Sequence, residues 1–145
     1  MAKRRSTLKI FLDSSVLFTA VNSSFGGSAK LFTMKNITLH ASNIVLHEVE
    51  KNVRKKLGEM YVERFLRLSK KLVIISELPN TKELSKSRSV IADKDSAILS
   101  QFIKSACMHL ITLDKRDFLQ PKVIGFAKPK KIWTPKMFFD EMSMT

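Results

Sequence analysis

Two apolar runs in this 145-residue chain end in an aspartate: Ile10-Phe11-Leu12-Asp13 and Leu110-Ile111-Thr112-Leu113-Asp114. In a parallel sheet, ligands bind at the carboxyl ends of the strands, above all where the strand order reverses, so two such aspartates can converge on one edge. Each alone would serve equally well as a turn or cap residue. A third carboxylate is harder to explain locally. At 100° per residue, Asp95 falls within the stripe of Ile98, Leu99, Phe102, Ile103 and Ala106, while Lys94, Ser100 and Lys104 fall on the opposite face. A carboxylate turned inward needs a partner such as a cation. Asp93 projects to the polar side and suits a cap. Glu48 sits on the flank of the stripe formed by Ile44, Val45, Leu46, Val49 and Val53, from which Glu50 and Lys51 point away. It can reach a cleft from there, or be an ordinary boundary glutamate.

Carboxylates gathered together repel, by ~4 kcal/mol for a pair ~4 Å apart at an effective dielectric of ~20. Such a cluster must take up protons or bind a divalent cation. All-oxygen donors favour Mg²⁺ or Mn²⁺ over zinc, and His40, His47 and His109 show no ligand spacing. Gly26-Gly27 lacks a following Gly-Lys-Ser/Thr, which argues against a nucleotide phosphate loop. Aspartyl-phosphate chemistry fits poorly as well. Receiver domains need an acidic pair at the first strand, and the dehalogenase-like phosphatases a second Asp where this chain has Ser15.

The formal charge of +13 points to a polyanion, an acidic partner protein or an anionic surface. It gathers in residues 51–72 and in residues 121–139, where five lysines occur with no acid. A solvated, lysine-rich face is the plain alternative. Lys51, Arg54, Lys55, Lys130 and Lys131 are the candidate nucleic-acid contacts. No apolar run approaches the ~20 residues of a membrane span. The one cysteine, Cys107, fits a reducing cytosol and a small buried role.

The elements that must position these groups alternate short apolar runs with amphipathic segments, the pattern of an α/β domain with a parallel sheet. Strands are expected at Lys9–Leu12, Ile37–Ala41, Leu72–Ile75, His109–Leu113 and Lys131–Trp133. Helices are expected at Ser14–Val21, Ser28–Lys35, from Ser42 or Asn43 to about Leu57, at Met60–Lys71, at Asp95–Ala106, and after Thr134-Pro135. Asn80–Ser89 reads as a polar loop and residues 1–7 as a basic arm. Nothing marks a domain boundary, so residues 1–145 read as one domain.

Taken in order, these pieces resemble PIN domains, including the compact VapC-type toxins. The matching segments are Phe11-Leu12-Asp13-Ser14-Ser15-Val16-Leu17, Ser42-Asn43-Ile44-Val45-Leu46-His47-Glu48-Val49, Asp93-Lys94-Asp95-Ser96-Ala97-Ile98-Leu99 and Leu110-Ile111-Thr112-Leu113-Asp114-Lys115-Arg116-Asp117-Phe118, closed by Trp133-Thr134-Pro135-Lys136-Met137-Phe138-Phe139. The resemblance implies a three-layer α/β/α sandwich with strand order 3-2-1-4-5. It implies that Asp13, Glu48, Asp95 and Asp114 form an acidic quartet holding Mg²⁺ or Mn²⁺, supported by Asp117, Thr112 and Ser15. The implied activity is metal-dependent hydrolysis of RNA in the cytoplasm, by a homo-oligomer that pairs with an antitoxin protein. A non-catalytic RNA-binding module with a degenerate site is the alternative. The serines at positions 14 and 15 depart from the threonine and asparagine often found there.

Overall fold

The computed structural model describes residues 7–143, so the basic arm lies outside it apart from Thr7. In chain order the elements are β1 (Leu8–Leu12), α1 (Ser14–Asn22), α2 (Gly27–Leu31), β2 (Ile37–Ser42), α3 (Asn43–Lys56), α4 (Glu59–Ser69), β3 (Val73–Ile75), α5 (Thr81–Arg88), α6 (Asp93–Lys104), β4 (His109–Ile111), α7 (Pro121–Ala127), β5 (Lys131–Trp133) and α8 (Pro135–Ser143). Five strands form one sheet in the order β3-β2-β1-β4-β5. Every neighbouring pair is parallel, with Phe11 opposite both His40 and Leu110.

The central strands are covered by helices on both faces, which explains why they read as unbroken apolar runs. Ile10, Phe11 and Leu12 of β1 and Leu110 and Ile111 of β4 are fully buried. The Phe11 and Phe102 rings meet at 5.6 Å and fasten α6 to the middle of the sheet. Local signals set the helix boundaries. Ser42 caps α3 by accepting the Ile44 and Val45 N–H groups. Gly58, at φ +93°, makes the left-handed turn between α3 and α4 that a side chain would strain. Thr134 Oγ1 accepts the Met137 N–H at 3.1 Å, with Pro135 opening α8.

The topology decides where chemistry can occur. From β1 the chain builds outward through β2 and β3, then returns to lay β4 against the other side of β1. The order therefore reverses between β1 and β4, whose carboxyl ends lead directly into Asp13 and into the Thr112–Asp114 turn.

The structure corrects several expectations. Residues 80–89 are not a loop. Asn80 Oδ1 accepts the Glu83 N–H and Glu83 Oε1 accepts the Asn80 N–H, a reciprocal capping box that starts α5. Because α5 packs on α6, Ser100 does not face solvent. It is buried, within 2.6 Å of Ser87 Oγ and donating to the Glu83 carbonyl. The helix carrying Asp95 begins at Asp93 and ends at Lys104, two residues earlier at each end than the periodicity suggests. β4 stops at Ile111 because the Leu113 N–H leaves the ladder for Ser15 Oγ. Helix α7, announced by Pro121 in its first turn, had no counterpart in the sequence reading. The last strand, Lys131–Trp133, lies where expected. Among the described residues, no helix is long and apolar enough to cross a membrane.

Since α5 backs the helix that carries Asp95, its cap should matter to the whole domain. Asn80→Ala should lower unfolding free energy by ~1 kcal/mol, measured by urea denaturation, with the largest loss of amide protection in residues 81–88. An unchanged midpoint would mean that α5 forms without its cap.

Candidate active site

Asp13 is almost fully buried at the end of β1. Its N–H donates to the Ile111 carbonyl, extending β1 along β4, and its carbonyl accepts the Val16 and Leu17 N–H groups of α1. The side chain makes no cap bond. Instead, Thr112 Oγ1 and Ser15 Oγ donate to the same oxygen, Oδ2, at 2.8 and 2.9 Å. Each hydroxyl also accepts a backbone N–H from the turn after β4, Thr112 from Asp114 at 2.9 Å and Ser15 from Leu113 at 3.0 Å. Both hydroxyls thus use donor and acceptor at once, and the ends of β1 and β4 are tied together through one carboxylate.

Asp114 uses Oδ1 to accept the Asp117 N–H at 3.0 Å, which folds the following turn back beside it. In α6, Asp95 lies in the first turn and points inward, with Oδ2 buried and without a hydrogen-bond partner. Asp93 points outward on the same turn and pairs with Arg88 of α5 at 2.6 Å. It is the first helical residue, and the cap position before it is Ala92. Asp93 therefore serves an ion pair between helices, not the capping role expected of it.

Oxygen atoms from Asp95, Asp114 and Asp117 lie within 4.8 Å of one another. Asp117 thus stands in the cluster itself, where the sequence reading gave it only a supporting part. Asp13 and Glu48 line the same open cleft of about 260 Å³ as Asp95 and Asp114, but outside that close group. Glu48 is solvent-exposed and reaches the cleft from α3.

Burial first, then the negative charges of Asp13, Asp117 and Asp114, raise the Asp95 pKa to about 6, against the pull of Lys94. A buried unpaired oxygen, three converging carboxylates and an all-oxygen donor set fit a hard divalent cation. They do not fit zinc.

Asn52, Lys56 and Lys94 also line the cleft, with Ser14, Phe18 and Val49, and were not among the expected site residues. Asn52 and Lys56 follow Glu48 at intervals of four along α3, and Lys94 stands beside Asp95. That spacing was the available signal. Of the expected nucleic-acid contacts, Lys51 and Lys55 are exposed on α3, and Arg54 pairs with Glu50 and Glu59. Lys130 is not available. Its ammonium donates to the Phe102 and Ser105 carbonyls at 2.9 and 2.6 Å, neutralising the C-terminal end of α6. Lys131 begins β5 at the opposite end of the sheet from the cleft, with its ammonium 5.5 Å from the Trp133 ring centre.

No family model matches the chain, and no curated protein matches it significantly. Solved structures do. VapBC2 from Rickettsia felis, bound to a fragment of its promoter DNA, superposes with a TM-score of 0.66 at 23% identity over 80% of this chain and 96% of that one. FitAcB from Neisseria gonorrhoeae gives 0.59 at 18% identity over 88% and 98%. VapC20 from Mycobacterium tuberculosis, a toxin that cleaves the sarcin-ricin loop, gives 0.57 at 16% over 74% and 91%. The fold is that of a VapC-like PIN domain. In this PIN fold the five-stranded order and the acidic cleft at the β1/β4 reversal occur together.

The raised Asp95 pKa has a definite consequence for stability. Its folded value of about 6 exceeds the ordinary 3.8, so stability from the protonated carboxyl is complete below the ordinary value and is lost as pH rises through about 6. Asp95→Asn should therefore stabilise the metal-free protein at pH 7.5 by of order 1 kcal/mol. The gap should close between pH 6 and pH 4. Urea denaturation in EDTA across that range is the check, and a variant less stable than the parent at pH 7.5 would contradict the inward, repelled carboxylate.

Proposed function

We propose that this chain is a divalent-metal-dependent ribonuclease and the toxin of a toxin–antitoxin pair. The observation that carries the proposal is the buried, partnerless Asp95 Oδ2 beside Asp114 and Asp117, at the reversal point of a VapC-like fold. A site of intact carboxylates favours catalysis over the alternative of a degenerate RNA-binding module. The named neighbours support the rest: one is a toxin that cleaves the sarcin-ricin loop, and another is a VapBC complex.

Asp95, Asp114 and Asp117 would hold a Mg²⁺ or Mn²⁺ ion, with Asp13 and Glu48 bearing on it directly or through water. Such an ion supplies charge that activates a water and offsets the negative charge growing on phosphate and departing sugar oxygen. The side chains do the rest. Thr112 and Ser15 hold Asp13 Oδ2 in place, which fixes the carboxylate where it lines the cleft. Glu48, with no fixed partner among the described residues, would orient a water or an incoming hydroxyl. Lys56 and Lys94 flank the acidic floor and would take the phosphates on either side of the cleaved bond, while Asn52 offers a neutral donor between Glu48 and Lys56. The basic residues of α3 extend this contact along the backbone. We further propose that the chain acts in the cytosol, assembles with copies of itself and is held inactive by an antitoxin protein.

Cleavage of RNA oligonucleotides, one of them a sarcin-ricin-type loop, in Mg²⁺, Mn²⁺ or EDTA tests the reading. Asp95→Asn and Asp114→Asn should lose more than the ~10–100-fold that an outer partner costs, Thr112→Val should fall within that range, and Asp93→Asn should cleave normally. Full activity in a clean Asp114→Asn preparation, or equal activity in EDTA, would sink the assignment.

RNA affinity should also fall with salt, with a slope of log K against log [salt] of about −0.7 per phosphate neutralised. Lys56→Ala with Lys94→Ala should flatten that slope. An unchanged slope would move the phosphate contacts elsewhere.

A further inference from the structure

A second hollow, of about 470 Å³, shares a wall with the acidic cleft. That wall is made by α1 and the turn after β4. Ser15 and Asp114 line the cleft, while Thr19, one helical turn after Ser15, and Leu113, the residue before Asp114, line the hollow. The Leu113 N–H, donated to Ser15 Oγ, joins the two sides. The volume is that of a small-ligand site, ~300–1,000 Å³. Phe25, Met137 and Phe139 give the hollow an apolar lining, to which Thr19 and Ser28 add hydroxyls that make no hydrogen bond among the described residues. Helices α2 and α8 approach closely here. A Cβ on Gly27 would stand 3.0 Å from the Pro135 Cβ, so bare backbone at that position lets them meet.

Phe25 is set apart within this lining. It is 85% exposed, and among the described residues no other ring or cation stacks on it, whereas the Lys30 ammonium sits 4.7 Å from the Phe139 ring centre. Its main chain is nevertheless held. Ser23 Oγ accepts the Phe25 N–H and donates to the Phe25 carbonyl, both at 3.2 Å. Gly26, at φ +94°, then turns the chain into α2. A bare aromatic face is thus presented from a fixed backbone beside an apolar hollow.

Resting on the ribonuclease reading, we propose that this hollow takes one unpaired nucleobase of the RNA strand, stacked on Phe25, beside the nucleotide whose phosphate lies over the carboxylates. Continuity with the cleft selects this occupant. A strand whose phosphates cross the cleft toward α1 brings a neighbouring base to the far side of the Ser15–Leu113 wall. Single-stranded bases are held by stacking on aromatic rings and by hydrogen bonds to their edges, and the hollow offers both, through Phe25 and through the Thr19 and Ser28 hydroxyls. Lys115 lines the hollow as well, is exposed and enters no ion pair among the described residues, so it is placed to meet the adjoining phosphate. Lys136 is not counted, because it is given to Asp140 at 3.0 Å. A second copy of a chain with net charge +13 would bring like charge against Lys115.

The test uses the full chain and oligouridylates carrying a single 4-thiouridine, cross-linked by long-wavelength light and mapped by peptide mass. The expected adduct lies on Phe25. Affinity for the oligouridylate, measured in EDTA so that no strand is cut, should fall about fivefold or more on Phe25→Ala, the lower end of what a base–aromatic stack contributes. Phe25→Leu, which keeps apolar surface but no ring, should fall as far, and Phe25→Trp should bind at least as well as the parent. An abasic nucleotide at the cross-linked position should erase the difference between parent and Phe25→Ala. Equal affinity across these variants, adducts confined to other residues, or no binding of the oligouridylate would overturn the proposal. So would a dimer in sedimentation that Phe25→Ala dissolves, which would assign the hollow to another copy. The outcomes separate this subsite from the activity it rests on. Metal-dependent cleavage with no adduct at Phe25 removes the subsite alone, and an adduct at Phe25 in a chain that cuts no RNA removes the ribonuclease assignment alone.

Discussion

The structure turns on one carboxylate oxygen. Asp13 Oδ2 receives hydroxyls from two segments 97 residues apart in sequence, Ser15 after β1 and Thr112 after β4. The same hydroxyls hold the backbone of the turn that carries Asp114. A parallel sheet can bring two strand ends together by topology alone, but it leaves the loops beyond them free to choose a conformation. Here the loop geometry is set by side chains that both donate to the carboxylate and accept from the turn. A buried carboxylate acts as the fixed point.

What the clamp holds in place is unfavourable by itself. Asp95, Asp114 and Asp117 are drawn together while Asp95 loses much of its water, and the upward shift of its pKa measures that conflict. The surrounding fold makes the conflict tolerable from several sides. Phe102 packs α6 against Phe11, α5 shelters the helix through the Ser87–Ser100 contact, and Lys130 neutralises the helix's far end. A rigid helix with a satisfied C-terminus can hold an inward aspartate against repulsion. A loose one would swing it toward water. Stability and the gathering of carboxylates are thus in opposition at one residue, the relation expected of a site poised for a ligand.

Much of this was legible in the sequence because the central strands leave little choice. β1 and β4 are buried on both faces, so their apolar runs and terminal aspartates stood out, and the strand order followed from the resemblance they carried. Helical phase alone set Asp95 apart from Asp93, and the structure turns the first inward and the second outward. What stayed hidden was tertiary. Helix α5 has almost no apolar face, and it is helical because of a capping box and because its Ser87 bonds across to Ser100 of the neighbouring helix. Ser100 looked like a solvent residue for the same reason: a polar side chain buried against another polar side chain has no signature in periodicity. Asp117 enters the cluster only because Asp114 folds the next turn around its own carboxylate, a conformation that strand and helix patterns do not encode.

Lys130 shows how the net charge should be read. Counted in composition, it belongs to a basic patch; in the fold it is a helix cap with two of its donors given to backbone carbonyls, and an RNA phosphate would compete with both. The remaining charge divides by place. On α3 and at Lys94 it borders the carboxylates of the cleft, the arrangement by which the proposed ribonuclease would draw a polyanion over an acidic floor. Around β5 it borders an apolar groove, with no carboxylate between residues 121 and 139. The same residue type therefore meets two different surroundings. A flexible polyphosphate suits the first, because its charges are regular and its bases need not be buried. The second sets its lysines among apolar side chains, so a ligand that brings charge alone would leave that surface uncovered.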